Sequence, residues 1–192
     1  MLEIEFTNTK VHKFPSIQIY LDEDLLEEIQ FVEYKTKVKI PLTETKGSHM
    51  LKIKNFGKTS NDTLVQENNI IQDTTMTIDK ITIDGFVLSD SILLECEFIP
   101  DWKDLIRPNN FPKVLKQART IGPNGIWQLL LKLPVEDWLI ERIHNSQNKI
   151  TQTYAVENSQ MEYELSPHST LYHKLSHEDL EQVARIKKLI ND

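Results

Sequence analysis

The chain has 192 residues, 39% of them hydrophobic and 27% charged, so it can bury a core and hold one large or two small domains. Its net charge of −7 argues against a protein that grips phosphate backbones, and no apolar run is long enough to span a membrane. We therefore expect no nucleic-acid partner, no membrane insertion and, without a signal-peptide pattern at the start, no export by the usual route.

Alternating apolar and polar residues predict β-strands through the first hundred residues. Residues 17–31 predict a hairpin, Asp84-Gly85 signals a tight turn, and a last strand is expected over residues 92–98. We therefore predict that residues 1–100 form an antiparallel, jelly-roll-like β-sandwich. The side chains expected inside it are Ile17, Ile19, Leu51, Ile53, Ile81, Ile83, Leu94 and Phe98.

The pattern changes after Pro100, where prolines and asparagines follow in quick succession. We predict a second domain here, a smaller α+β extension over residues 101–192. Pro112 suits the start of a short helix over residues 113–119. The apolar run 126–133 predicts a strand buried on both faces.

Two further helices are predicted in this extension. Pro134 opens the first, whose apolar stripe includes Trp138. Ser176 and Asp179 form a capping pattern for a C-terminal helix.

The acidic and amide-rich connection from Asn61 to Asp73 offers the oxygen ligands that calcium prefers, although Asp and Asn are also ordinary turn residues. Trp102 follows an acidic turn and is a candidate for stacking on a sugar, whereas Trp127 and Trp138 lie in apolar patterns typical of a core. The single Cys96 fits a packed residue on a strand better than a nucleophile.

Histidines 168, 173 and 177 have a spacing that zinc could use, but no cysteine accompanies them, so we interpret them as unrelated. The common enzyme signatures are missing: there is no Gly-x-Ser-x-Gly, no phosphate-binding glycine loop and no His-Glu-x-x-His. We predict that the chain is not an enzyme, and a hydrolase with an unrecognised site ranks last among the hypotheses.

Residues 15–87 resemble the small β-sandwich carbohydrate-binding modules that bind xylan with calcium. The motifs that carry the resemblance are the hairpin at 17–31, Gly47-x-His49-x-Leu51-x-Ile53, and Ile78-x-x-Ile81-x-Ile83-Asp84-Gly85. The resemblance implies calcium as a cofactor, with Asp62 and Asp73 as its ligands, and a surface glycan as the partner. The chain departs from the family where Asp73-Thr74-Thr75-Met76 replaces an Asp-Arg-Asn-Leu-Tyr run.

A second resemblance, covering about half of the chain, is to structural proteins of tailed phages of marine cyanobacteria and related bacteria. The motifs follow the same order: Lys58…Asp62-Thr63, Ile71-x-Asp73, Phe98-x-Pro100, Gly122-x-x-Gly125-x-Trp127, then Pro134 and Asp137-Trp138-Leu139-Ile140. The resemblance implies a virion component. The hypothesis built on it is a tail, neck or fibre-base protein that needs no cofactor, forms a homo-oligomer and assembles with other virion proteins.

These resemblances give two hypotheses of function. The leading one is a virion structural protein, made in the host cytoplasm and acting through protein–protein assembly. The alternative is a calcium-dependent glycan-binding module.

Overall fold

The structure is a computed structural model that describes residues 1–43, 46–67, 69–103 and 111–145. Its strands are β1 Leu2–Asn8, β2 Ser16–Leu21, β3 Asp24–Gln30, β4 Lys35–Ile40, β5 Gly47–Phe56, β6 Thr63–Gln66, β7 Asn69–Asp73, β8 Met76–Ile83, β9 Phe86–Val87, β10 Glu97–Pro100, β11 Leu115–Lys116, β12 Thr120–Ile121 and β13 Gly125–Leu133. A 3-10 turn covers Ser60–Asp62, helix α1 covers Asp90–Leu93, and residues 135–145 form helix α2.

Two antiparallel sheets make up most of the described chain. The first has the strand order β12-β8-β1-β4, with β9 beside β8, and the second has the order β11-β10-β13-β5-β2-β3. Strands β6 and β7 form a separate two-stranded hairpin. The predicted fold class, a mainly antiparallel β-sandwich, is confirmed.

The core is built from alternate positions along these strands. In β1 every second side chain is buried, as period-two geometry requires. Residues 17–31 form the predicted β2–β3 hairpin, and Asp84 and Gly85 have the positive φ angles of a tight turn between β8 and β9. The predicted inward residues that are buried are Ile17, Ile19, Leu51, Ile53, Ile81, Ile83 and Phe98.

The prediction for Leu94 was wrong, because its side chain is 42% exposed. Residues 90–93 form α1 instead of the first half of a strand, and Leu94 is the C-cap of this helix. Ile92 and Leu93 are both buried, which one face of a helix allows for successive residues, whereas a strand with one buried face alternates.

The predicted helix over residues 113–119 is also absent. Leu115 and Lys116 form β11, which pairs with Phe98 and Glu97 at the edge of the second sheet. Gln117 follows with a φ of 60°, which ends any helical path, and its N–H donates to the Cys96 carbonyl. The backbone hydrogen bonds of this segment are therefore made with the sheet.

Strand β13 is buried on one face only, which corrects the prediction of burial on both. Its buried and more exposed positions alternate, and Leu130 on the outer face is 56% exposed. β13 pairs antiparallel with both β10 and β5, and antiparallel sheets commonly leave one face in water.

The described chain belongs to two compact units, of which the first covers Met1–Leu133 and the second begins at Pro134. The predicted domain boundary after residue 100 falls inside the first unit, because Gly125–Leu133 pairs with Gly47–Asn55. The division of the chain into domains at residue 100 therefore has no counterpart in the strand pairing.

The second unit contains the helix predicted after Pro134, which is confirmed over residues 135–145. Val135, Trp138 and Leu139 are buried, and the Arg142 guanidinium lies 5.3 Å from the centre of the Trp138 ring. The predicted C-terminal helix and the three histidines 168, 173 and 177 lie outside the described residues. Within the described part of the chain, no helix combines the length and apolar character needed to cross a bilayer.

Candidate ligand-binding site at the loop end of the sandwich

Asp62, one of the two predicted calcium ligands, ends the 3-10 turn and is only 2% exposed. Its Oδ2 accepts hydrogen bonds from the Thr59 backbone N–H at 2.9 Å and from the Thr59 hydroxyl at 3.0 Å. Its carbonyl accepts from the Thr74 N–H at 2.9 Å. The Asp62 carboxylate therefore closes its own turn, and the Asp62 backbone carbonyl ties the start of β6 to the end of β7.

Asp73, the other predicted ligand, is the last residue of β7 and forms an ion pair with a buried lysine. The Lys58 Nζ lies 2.5 Å from Asp73 Oδ1, and the Thr63 hydroxyl donates to the same oxygen at 2.6 Å. Lys58 also donates to the Thr74 carbonyl at 2.9 Å, and the residue is only 7% exposed. An opposite charge and a hydroxyl donor thus already satisfy Asp73 Oδ1.

Asn124 joins this ion pair to two other loops. Its Oδ1 accepts from the Lys58 backbone N–H and its Nδ2 donates to the Lys58 carbonyl, both at 2.9 Å. The Asn124 carbonyl accepts from the Asp101 N–H at 2.7 Å. Asn55 adds a bond from its Nδ2 to the Pro123 carbonyl at 2.8 Å. We call this group of loops, 57–59, 101–103 and 122–124, the loop end.

Trp102, the predicted sugar-stacking residue, belongs to the loop end. Its half-buried ring meets the Phe111 ring edge-on, with the ring centres 4.8 Å apart at an angle of 76°. The neighbours on either side, Asp101 and Lys103, are exposed, and Asp101 Oδ1 accepts from the Lys103 N–H at 3.0 Å. The hydrogen bonds from Asp101 to Asn124 and from Asn124 to Lys58 therefore connect the loop that carries Trp102 to the Lys58–Asp73 pair.

Asp62 and Asp73, the two predicted ligands, do not fit a calcium ion. Calcium takes six to eight oxygen ligands, but the Lys58 ammonium lies against Asp73 and the Asp62 carboxylate is bonded to Thr59. Across residues 1–43, 46–67, 69–103 and 111–145, no group of three or more His, Cys, Asp or Glu side chains could hold a metal ion. The cationic partner of Asp73 is Lys58.

Sequence reasoning missed Lys58 and Asn124. Only the oxygen-bearing side chains of the connection 61–73 were considered from the sequence. Lys58, just before the connection, was not considered as an ion-pair partner of Asp73. Lys58 follows Gly57, whose φ of 77° turns the chain out of β5. A lysine directly after a turn residue at a strand end was the available signal.

Cys96 is a packed thiol, as expected. It is fully buried, its Sγ lies 3.6 Å from the Ala118 carbonyl oxygen, and burial raises the pKa of the thiol. A raised pKa keeps the sulfur protonated at neutral pH, which suits packing and not nucleophilic chemistry.

Asp22 fixes the turn between β2 and β3. Its Oδ1 accepts from the Met50 N–H and its Oδ2 lies 2.8 Å from His49 Nδ1. These two hydrogen bonds, the backbone one first, hold the pKa of Asp22 below its usual range. The contact ties the hairpin to β5.

Comparisons with known proteins give only a likeness of fold. No protein-family model and no curated protein matches the chain significantly. A vCBM60 structure in complex with galactobiose is 9% identical with a TM-score of 0.41, over 66% of this chain and 96% of that one. A selenomethionine form of vCBM60, from work on two families of calcium-dependent carbohydrate-binding modules, is 10% identical with a TM-score of 0.42, over 67% and 90%. No residue role, ligand or metal follows for this chain.

Proposed function

We propose that this chain is a non-catalytic binding module whose loop end binds a carbohydrate through Trp102. The edge-on packing of Trp102 against Phe111 carries this proposal, because it fixes the indole while leaving the residue partly exposed. A fixed aromatic ring loses little conformational entropy when a ligand stacks on it.

The surroundings of Trp102 suit a sugar because they combine an apolar ring with a hydrogen-bond donor and a hydrogen-bond acceptor. A pyranose has an apolar face of C–H groups and an edge of hydroxyls that both donate and accept hydrogen bonds. Asp101 and Lys103, the exposed sequence neighbours of Trp102, supply a carboxylate and an ammonium to the same loop. Calcium is left out of this proposal because Lys58 already neutralises Asp73.

We expect Trp102→Ala to weaken glycan binding by about 30-fold, because losing a central aromatic side chain typically costs about 2 kcal/mol of binding free energy. A polysaccharide array first identifies the retained glycan, and isothermal titration calorimetry then compares the variant with the wild type. Tyr34→Ala is the matched control, because Tyr34 is an aromatic residue that is 60% exposed on a different part of the first unit. Equal loss in both variants, or no retention of any glycan by the wild type, would overturn the proposal.

A second candidate function, assembly with other proteins, is favoured by the β6–β7 hairpin. Four of its large aliphatic side chains are at least half exposed: Leu64, Val65, Ile70 and Ile71. A two-stranded hairpin is marginally stable by itself, and clustered exposed aliphatics mark interaction sites. We propose this hairpin as the contact through which the chain would join an oligomer. The resemblance to phage structural proteins extends the proposal to a virion, assembled in the host cytoplasm.

We expect the double substitution Val65→Thr, Ile70→Thr to shift such an oligomer towards monomer, because these two residues face each other across the hairpin. Threonine keeps the β-branched shape and removes apolar surface. Sedimentation velocity measures the change, and Val32→Thr, at an isolated site that is 81% exposed, is the control. A wild type that stays monomeric at high concentration, with the chain absent from purified virions by mass spectrometry, would contradict assembly.

A further inference from the structure

Lys58 is a charged residue in a buried position, which is rare in proteins. The residue is 7% exposed, and lysine is almost never buried without a charged partner. Its Nζ lies between the Asp73 carboxylate at 2.5 Å and the Thr74 carbonyl at 2.9 Å, both at the base of the β6–β7 hairpin. An ammonium has three donors and no acceptor, so a pocket of oxygens is the environment it needs.

The same residue also fixes the neighbouring loops through its backbone. The Lys58 N–H and carbonyl both bond the Asn124 side chain, and the Asn124 carbonyl accepts from Asp101, next to Trp102. Lys58 therefore links the hairpin base to two loops of the loop end. This is the structural task that a bound divalent cation performs where loop carboxylates converge on it.

One side of the ion pair is covered by the 122–124 loop, while the Asp73 side chain is 22% exposed. A Cβ built on Gly122 would lie 3.0 Å from Asp73 Oδ2 and 3.8 Å from Lys58 Nζ, so the backbone of the 122–124 loop packs directly against the carboxylate. The Asp73 carboxylate thus has the ammonium on one oxygen and loop backbone beside the other. A divalent ion placed there would have to displace the lysine and move this loop.

We propose that the Lys58 ammonium is the built-in cation of the loop end, which holds the hairpin and the loops together without a metal ion. This inference stands apart from carbohydrate binding, because it concerns how the loops are held and not what they bind. The loop end then has the same stability whether calcium is present or chelated.

Thermal unfolding tests the proposal, with circular dichroism recorded in EDTA and in millimolar calcium chloride. We expect the wild type to melt at the same temperature in both, since only a ligand that prefers the folded state raises the melting temperature. Lys58→Met keeps the unbranched side chain up to the ε-carbon position and removes the charged ammonium group. We expect this variant to melt about 10 °C lower, because it leaves Asp73 without its counter-charge.

Two further variants make the result specific. Lys54→Met removes an exposed lysine from β5 of the same sandwich, and we expect its melting temperature to match the wild type. Lys58→Met combined with Asp73→Leu removes both charges, and we expect it to melt above the Lys58→Met single variant. If Lys58→Met does not fold, the melting temperatures of the wild type in EDTA and in calcium, together with that of the double variant, still test the proposal. A wild type stabilised by calcium, or a Lys58→Met variant as stable as Lys54→Met, would overturn the proposal.

Discussion

Gly125→Ala is expected to lower the free energy of unfolding by about 4 kcal/mol, because overpacking and backbone strain act together. A Cβ at this position would lie 2.4 Å from the Ile99 carbonyl oxygen and 2.8 Å from the Pro100 Cα. These are backbone atoms of β10, which is paired with β13 at this point, so they have no free direction in which to move. The φ of +150° at Gly125 is also one that residues with a side chain rarely adopt. Urea unfolding of the variant and the wild type measures the difference.

Gly85→Ala provides the matched control. Gly85 also has a positive φ, of +85°, but a Cβ there would meet nothing within 4 Å. We expect this substitution to cost only about 1 kcal/mol, the usual penalty of left-handed backbone. Equal costs at Gly85 and Gly125 would show that the approach of β10 to Gly125 does not constrain the fold.

Trp127→Ala is expected to cost about 3–5 kcal/mol, the range for truncating a buried aromatic residue. Trp127 is fully buried in β13, directly between Phe98 of β10 and Ile53 of β5. The cavity would therefore open where three strands of the second sheet meet. Guanidinium unfolding followed by far-ultraviolet circular dichroism measures the loss without depending on tryptophan fluorescence.

Ile126→Ala, at the adjacent position, separates burial from position in the strand. Ile126 points to the outer face of the sheet and is 36% exposed. Since much of its side chain is already in water, we expect its truncation to cost about 1 kcal/mol or less. If Ile126→Ala proved as costly as Trp127→Ala, the assignment of the inner and outer faces of β13 would be wrong.

The sandwich could be predicted because its strands carry a simple alternating signal. Ile17 and Ile19, or Ile81 and Ile83, repeat at the two-residue period of a strand with one buried face, and all four are buried. Residues 92–98 show the limit of that signal. Ile92, Leu94, Cys96 and Phe98 alternate as well as any strand, yet a short helix forms there and turns Leu94 outward.

The length of an apolar run was a weaker guide to burial. The run through β13 includes Leu129, Leu130 and Leu131, which predicts a strand covered on both faces. In the structure Leu129 and Leu131 are 1% exposed, whereas Leu130 is 56% exposed. Covering a second face depends on what other parts of the chain pack there, and a local run of residues carries no information on that.

The candidate site was predictable in its parts and not in their arrangement. The polarity of the connection 61–73 indicated Asp62 and Asp73 as candidates. The acidic turn just before Trp102 indicated Trp102. The pairing of Asp73 with Lys58 depends on the β6–β7 hairpin, which reverses the chain so that Thr63 faces Asp73. The link to Trp102 depends on the Asn124 loop, far along the chain. Such contacts are set by the tertiary fold, so residue types and spacing could not supply them.

The place of β5 between β2 and β13 also sets the order in which the protein can fold while it is being made. On the ribosome β2 and β5 emerge early, but the other edge of β5 has no partner until β13 has been synthesised. During that interval the nascent chain exposes an unpaired strand edge, the kind of surface that invites pairing with other chains. Closure of the second sheet is therefore a late, long-range event, and such topologies fold slowly.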